Sequence, residues 1–487
     1  VGIIQRQGTY NALITYGGIA IGFLNVLVLQ PNMLKPEELG LTRVLFAAAT
    51  LFGTLFPLGL NGVTLRYFPR FKTTDGTHHG FAFWLLSSGT MLFLLFAIAL
   101  GLARPYIEQA YAQRSPLFSE FFRYVFPLTW LSGMVSLLTV YLFSLFQTVQ
   151  ASLVNDVVSR LYTTVLVSIY YLKIMSLNGL VLGICLGIAL QGFMLFWFAY
   201  RTTPAAFRPN WSSAKHYPVS EIARYAGIMA FATLASIALR NVDVLILGRY
   251  SNLTEVAIYG IAVTIAGIIE APANALGRIA DTKISHAFSR QDFLEVKTIY
   301  YESTRVLMML GFFLFCGVVL NAHSLLMLLP PAYHRGEIVV WLVAVSALFN
   351  MVTGINSSII FYSDKYRFGT RLLGFLLVLS IALNLLLIPT YGMMGAAVAT
   401  CTSLLLFNLV KYLYILYHFK FQPFGQYAIP GLGAFVLCLL LGILLPHHSS
   451  PLLDVALRGL GIAAIFSLVS WKWNLLPELK TLFKRTS

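Results

Sequence analysis

Apolar runs of about 20 residues, separated by short polar links, repeat along the whole chain. They cover 10–30, 40–63, 80–103, 122–146, 154–174, 178–200, 224–248, 256–277, 301–322, 338–361, 369–388, 392–416, 428–445 and 455–473. A stretch of that length is what an α-helix needs to cross the hydrocarbon of a bilayer. The runs do not alternate in the manner of the ~10-residue strands of a membrane barrel. A helix satisfies all of its backbone hydrogen bonds internally, which hydrocarbon demands. The pattern therefore predicts an all-α polytopic membrane protein with about fourteen transmembrane helices.

The links carry the expected breakers: Pro31 and Pro36, Asp75-Gly76, Arg104-Pro105, Pro330-Pro331, Pro389, Pro423 and Pro446. None has room for a folded domain. The longest outer link, 104–121, holds only Glu108 and Glu120 as acids. A faint internal repeat runs through the pattern. One offset superposes Glu38 on Glu255 and Arg66 on Lys283, and the spans between them carry Pro57 and Pro272. Six spans per repeat would make the halves parallel, related by an axis along the membrane normal. The expected organisation is two six-helix lobes, 1–200 and 201–420, a terminal helix pair, 421–487, and a central cavity.

Composition strengthens this reading and narrows the function. Of 487 residues 58% are hydrophobic and 10% charged, with a mean hydropathy of +0.78. A soluble protein carries roughly a quarter charged residues, so a soluble enzyme on an anchor is excluded. The net charge of +15 raises the question of nucleic acid. The basic residues, however, are spread through short links, as topology signals are. With the N-terminus inside, segments 64–79, 201–224, 278–305, 363–371, 411–420 and the C-terminal tail are cytoplasmic and hold most of the 33 basic residues. Both termini are then expected in the cytoplasm, with membrane lipids rather than nucleic acid as surroundings. The run 10–29 is long enough to span and lacks a small-residue cleavage site, so no cleavable signal is expected. The four cysteines, Cys185, Cys316, Cys401 and Cys438, all fall inside spans without CxxC spacing, so neither a disulfide framework nor a metal site is indicated.

Catalytic signatures are missing from the sequence: there is no GxSxG, Walker A, HExxH or Gly-rich dinucleotide motif. An ATP-driven pump, a cofactor and enzymatic chemistry are therefore not expected. What remains are charges within or bordering spans, where each costs roughly 2.5–3.5 kcal/mol at a helix centre and so tends to face a bundle interior or water. They are Arg43, Asp156, Arg160, Arg240, Asp243, Glu270 and Arg278. Each has a structural alternative. Asp156 and Arg160 (i,i+4), and Arg240 and Asp243 (i,i+3), can neutralise each other on one helix face. Arg43 can snorkel to the outer interface. Glu270 has no adjacent cation and sits two residues before Pro272, which bends its helix.

Two basic, aromatic links stand out on the cytoplasmic side. One carries Arg66, Arg70 and Lys72 around Tyr67, Phe68 and Phe71; the other carries Lys365 and Arg367 beside Tyr366. They read either as topology signals or as an electropositive entrance for a phosphorylated headgroup, since guanidinium forks hold phosphate oxygens in pairs. Between spans 11 and 12, Pro389 and Gly392 set a turn. Gly392, Ala396 and Thr400 then line one face for close helix approach.

The stretch Asn384…Ile388-Pro389-x-Tyr391-Gly392-x-x-Gly395-Ala-Ala-x-Ala-Thr400 resembles the C-terminal half of bacterial polysaccharide flippases. These are the Wzx-type, polysaccharide transporter branch of the multidrug/oligosaccharidyl-lipid/polysaccharide exporter superfamily. Gly40-Leu41 through Leu65-Arg66-Tyr67-Phe68-Pro69, Asn241-Val-Asp243 through Gly248, Glu255 to Tyr259, Leu328-Leu-Pro330-x-x-Tyr333, and Phe424 after Lys420 are similar to other parts of that family. The resemblance implies fourteen helices in two lobes around a cavity that opens to either side in turn. It implies transport of undecaprenyl-diphosphate-linked oligosaccharide, the repeat unit of polysaccharides such as O-antigen lipopolysaccharide, across the bacterial cytoplasmic (inner) membrane. Arg43, Arg160, Arg240 and Arg278 would offset the diphosphate charge. On this resemblance Asp243 and Glu270 would be cavity or coupling acids for a proton or sodium gradient, and Arg66, Arg70, Lys365 and Arg367 would form the cytoplasmic entrance. Two other readings compete: a multidrug/cation antiporter of the same superfamily, which needs such acids, and a membrane-embedded glycosyltransferase or polymerase, for which the 104–121 link is small.

Overall fold

The computed structural model describes residues 14–15, 17–211, 219–445 and 448–473. Those residues are almost wholly helical, with no strand among them. Nine of their helices are long and apolar enough to cross a membrane, joined by two shorter apolar ones, Gly17–Met33 and Ala428–Leu444. The protein is a multi-pass α-helical membrane protein. It divides into two compact units, one ending at Ala257 and one beginning at Ile258.

The first unit starts with α1 (Gly17–Met33), of which Asn25–Leu29 is π-helical, followed by α2 (Pro36–Leu55). Pro36 opens α2 where a missing N–H costs nothing. Glu38 turns back to accept from Lys35 N at 3.0 Å, closing the first turn. The expected span 40–63 is not one helix. It breaks after Leu55, around Pro57 and the left-handed Gly59, and resumes as α3 (Leu60–Phe71). By contrast α4 (Phe81–Ala112) runs straight through the expected breaker Arg104-Pro105. There an Arg104–Glu108 pair at 2.8 Å, one turn apart, supports the helix. Most of the 104–121 link is thus helix. The unit continues with α5 (Val125–Ser144), α6 (148–171), α7 (Leu177–Thr202) and α8 (Val219–Tyr250). Phe56, Phe68, Phe81, Leu137, Tyr141 and Leu142 form its core. α8 packs on α2, and Tyr111 OH and Ser115 Oγ tie it down through the carbonyls of Leu245 (2.8 Å) and Gly248 (2.5 Å).

The second unit begins within α9 (Leu253–Gly267). A single 3-10 turn, Ile268–Glu270, bends the chain into α10 (Ala271–Ser289) just ahead of Pro272. α11 (Phe293–Val319) leads to α12 (Glu337–Thr353) and α13 (Asn356–Tyr362). The expected span 338–361 is split between α12 and α13 at Gly354, whose φ of +72° and the 2.1 Å a Cβ would leave to Thr304 Oγ1 admit only glycine.

The longest helical stretch, α14 (Tyr366–His418, 53 residues), reverses at Gly392, where φ is 56° and ψ is −133°. A Cβ on Gly395 would lie 2.3 Å from the Leu387 carbonyl oxygen. Residues eight apart in a straight helix are about 12 Å apart, so the two arms fold back as a hairpin. Each arm is long enough to span, and the expected turn is where the chain turns. α15 (Ala428–Leu444) and α16 (Pro451–Trp473) follow, packed on α11 through Phe312, Phe435, Cys316, Cys438 and Phe466.

Candidate functional site

The expected charges do not share one environment. In the first unit, residues 153–158 of α6 are π-helical, and this segment holds Asn155 and Asp156. A π-turn offsets the side chains after it and commonly marks a functional segment. Arg160 follows one turn on. Its Nη2 lies 3.9 Å from Asp156 Oδ1, and its Nη1 donates to the Gly18 carbonyl of α1. Asn25, in the π-helical part of α1, donates to the Arg160 carbonyl at 2.9 Å and accepts from Thr164 Oγ1 at 2.7 Å. α1 approaches so closely because Gly18 and Gly22 face Asp156 and Arg160; a Cβ would come within 2.6 and 2.5 Å of them. The two charged side chains nevertheless stay 29% and 31% exposed. Arg160 thus shares its fork between an acid and a carbonyl, with part of it uncovered by protein.

Beside it runs a ladder of uncharged polar groups that sequence reasoning missed. Gln191 Nε2 donates to Asn155 Oδ1 at 2.7 Å, and Asn155 Nδ2 to Thr139 Oγ1 at 3.0 Å. Asn61 Nδ2 likewise donates to Ser136 Oγ at 2.8 Å. All five side chains are half-buried. Amides attract no notice in a hydropathy pattern, and only their spatial alignment reveals them.

Arg43 on α2 is half-buried, with Nε and Nη2 enclosed by protein. A snorkelling arginine would carry those atoms out to the interface. Arg240 and Asp243 part ways on α8. Arg240 is exposed, whereas Asp243 is buried and accepts from Val244 N at 2.8 Å. Arg278 lies on α10, and its side chain is outside the described residues. Arg66 and Arg70 are exposed at the end of α3, and Lys365 and Arg367 are exposed where α14 begins. Between α3 and α4, Asp75 accepts from Thr73 Oγ1, from Thr77 N at 3.0 Å and from Thr77 Oγ1 at 2.9 Å. These hydrogen bonds hold its carboxyl down at about 2.

In the second unit, Glu270 is half-buried at the bend and accepts from Asn350 Nδ2 at 3.3 Å. Close enough to act on it electrostatically is Lys411, from the second arm of α14. Lys411 is 4% exposed, donates to Ser357 Oγ at 3.0 Å and lies 4.3 Å from the Phe407 ring. The sequence places Lys411 in a cytoplasmic link; the structure buries it among helices. Next to the Gly354 break, buried Tyr300 donates to Asn356 Oδ1 at 2.5 Å. A second buried pair was also not anticipated: Asp454 and Arg458 on α16, 3.0 Å apart. Asp454 accepts from Ser324 Oγ (2.5 Å) and His448 N (3.0 Å), while Arg458 donates to the carbonyls of Gly442 and Leu445, the latter at 2.8 Å. Among the described residues no group of three or more His, Cys, Asp or Glu side chains could hold a metal ion.

Comparison with known proteins gives these residues a setting. A family profile described as "Polysaccharide biosynthesis protein" matches residues 4–280. No curated protein matches the sequence. Among solved structures the chain is similar to the lipid II flippase MurJ in an inward closed conformation, with a TM-score of 0.74 at 12% identity over 95% of this chain and 98% of that one. It is also similar to an inward-facing multidrug resistance MATE family transporter of the MOP superfamily, with a TM-score of 0.67 at 13% identity over 83% and 97%. At such identity the likeness speaks to the fold, which is that of these transporters.

Proposed function

The chain belongs to the polysaccharide biosynthesis protein family, and from that premise we propose that it flips a polyprenyl-diphosphate-linked oligosaccharide across the bacterial cytoplasmic membrane by alternating access. The observation that supports this most is the part-exposed Arg160 on a helix whose Asn155 joins a polar ladder to Gln191 and Thr139, both on helices long and apolar enough to span. Moving a sugar headgroup through hydrocarbon without partners costs several kcal/mol per polar group. A guanidinium with donors to spare suits diphosphate oxygens, and neutral amides suit sugar hydroxyls. Arg43, Arg240 and Arg278 are the further cations for the headgroup, and Arg66, Arg70, Lys365 and Arg367 the cytoplasmic approach. Both termini lie in the cytoplasm on this reading. The chain makes and breaks no covalent bond; the polyprenyl tail stays in lipid while the headgroup crosses.

Glu270, with Lys411 nearby, is the proposed coupling acid for a proton or sodium gradient, together with buried Asp243. A multidrug/cation antiporter is the second reading, supported by the MATE-like fold and these same acids. Deleting the gene separates the two. A flippase predicts lipid-linked repeat units accumulating on the cytoplasmic leaflet. Unchanged lipid-linked sugars with altered drug tolerance would replace it with the antiporter.

A further inference from the structure

Where α3 ends and α8 begins, four aromatic and charged side chains surround one carboxylate. The helices cross closely because Gly59 and Gly62 present no side chain. A Cβ on Gly59 would lie 2.2 Å from the Ala226 carbonyl oxygen, and one on Gly62 would lie 2.7 Å from Met229. Val63, Tyr67 and Ala226 fill the crossing, with Ile222 and Tyr225 against them. On this base the Tyr67 and Tyr225 rings meet edge to face at 5.9 Å. Arg66 lies over Tyr225, its Cζ 4.3 Å from the ring centroid, and Arg70 lies over Tyr67 at 5.1 Å. Stacking fixes the planes of both guanidinium forks and leaves their N–H edges free to donate.

The acceptor facing them is Glu221. Its Oε1 accepts a hydrogen bond from the Tyr67 hydroxyl at 2.8 Å, yet Arg70 Nη1 stands 3.8 Å from the same oxygen, beyond hydrogen-bonding distance. The ion pair is exposed, 58% for Arg70 and 44% for Glu221, and a pair of that kind contributes about 0–1 kcal/mol. Two ordered guanidinium groups are thus matched by one carboxylate too distant to satisfy even the nearer of them. A diphosphate offers more charge and more acceptor oxygens than a carboxylate. It can accept from Arg66, Arg70 and Tyr67 together.

We propose that Arg66, Arg70 and Tyr67 form a diphosphate-binding site in which Glu221 is a resident carboxylate that the incoming phosphate oxygens displace. The inference rests on the flippase reading for the identity of its natural ligand, not for the chemistry of the site. Displacement frees Glu221, at the start of α8, from α3. Arrival of the headgroup thereby removes one polar tie between α3 and the start of α8, while the Gly59 and Gly62 crossing keeps the two helices packed.

The test uses the full-length protein in phosphatidylcholine nanodiscs, titrated with inorganic pyrophosphate by calorimetry. Glu221→Gln keeps an acceptor for Tyr67 and removes the competing charge; it should tighten binding about tenfold. Arg66→Ala with Arg70→Ala, added to that variant, should abolish the gain. Arg66→Lys with Arg70→Lys keeps the charge but loses the forks, and should lose most of it as well. Unchanged or weaker binding in Glu221→Gln, or tight binding that survives loss of both arginines, overturns the site. Thermal unfolding of each variant shows that the fold is kept. Repeating the titration with phosphatidylglycerol in the disc separates the two sources of phosphate. Persistent pyrophosphate binding supports a diphosphate headgroup, whereas its loss assigns the arginines to bilayer lipid and overturns the proposal. A chain that binds pyrophosphate as expected, but whose deletion leaves lipid-linked sugars evenly distributed, would remove the flippase reading and leave this site standing.

Discussion

Two aspartate–arginine pairs, Asp156–Arg160 and Asp454–Arg458, have the same i,i+4 spacing along a helix and opposite characters. Asp454 and Arg458 are 3.0 Å apart with side chains 4% and 5% exposed, and every direction around them is filled by Ser324, His448 N and the carbonyls of Gly442 and Leu445. Asp156 and Arg160 stand 3.9 Å apart, about a third exposed, with Asp156 on the π-helical segment and Arg160 just beyond it. The first pair is a lock that holds α15 and α16 together by giving each buried charge all of its partners. The second leaves part of its surface uncovered by protein and its guanidinium only partly engaged, which is what a residue needs if it is to take up a ligand and let it go. Spacing alone does not distinguish structural charge from functional charge; the surroundings do.

The largest effect should come from breaking the lock. Arg458→Ala leaves Asp454 buried without its cation, which costs about 3–5 kcal/mol. Chemical denaturation in detergent should show that loss, with a sharp drop in folded yield. A small change would mean that the pair is dispensable packing. Arg160→Ala should reverse the profile. Its stability should fall by no more than about 1 kcal/mol, as for exposed pairs, while export drops about tenfold or more. Equal losses of stability and export would make the two pairs alike and end the comparison.

Glu270 and Lys411 test an intermediate case. Lys411→Met alone should destabilise by about 1–3 kcal/mol, and adding Glu270→Gln should recover part of it, because a buried charge is costly chiefly when its partner is removed. Transport should not recover in the double variant. The smallest effect belongs to Asp75. Its carboxyl is held below the ordinary value of 3.8, so its contribution is present above about 4 and is lost only as pH falls toward about 2. The difference in thermal midpoint between wild type and Asp75→Asn should therefore be slight and constant from pH 5 to pH 8, within about a degree. A difference that changes across that range would contradict the hydrogen bonds drawn to this carboxylate.

Much of the fold was legible from hydrophobic length alone, and the Pro389–Gly392 turn from its residues. Helix breaks were harder to see. Pro57 and Gly59 end α2 early and Gly354 splits the expected span 338–361, because an apolar run conceals a change of direction. Arg104-Pro105, which looked like a stop, is helical because the preceding turns and the Glu108 pair carry the helix through. Of the proposed site, the charges within apolar runs, Arg160 and Glu270 among them, were legible in the sequence. Lys411, Asp454 and Arg458 escaped notice because a charge near a span end reads as interfacial unless the packing around it is known. Asn155, Gln191 and Thr139 escaped because neutral polar residues barely disturb hydropathy.

The most direct test of translocation reconstitutes the purified protein in proteoliposomes loaded with a polyprenyl-diphosphate oligosaccharide on one leaflet. A membrane-impermeant glycosidase then measures how much headgroup reaches the other side. The account predicts transfer with the wild-type chain and little above protein-free vesicles with Arg160→Ala at equal incorporation. Transfer at the wild-type rate by Arg160→Ala, or none by the wild-type chain with a proton or sodium gradient applied, would contradict it.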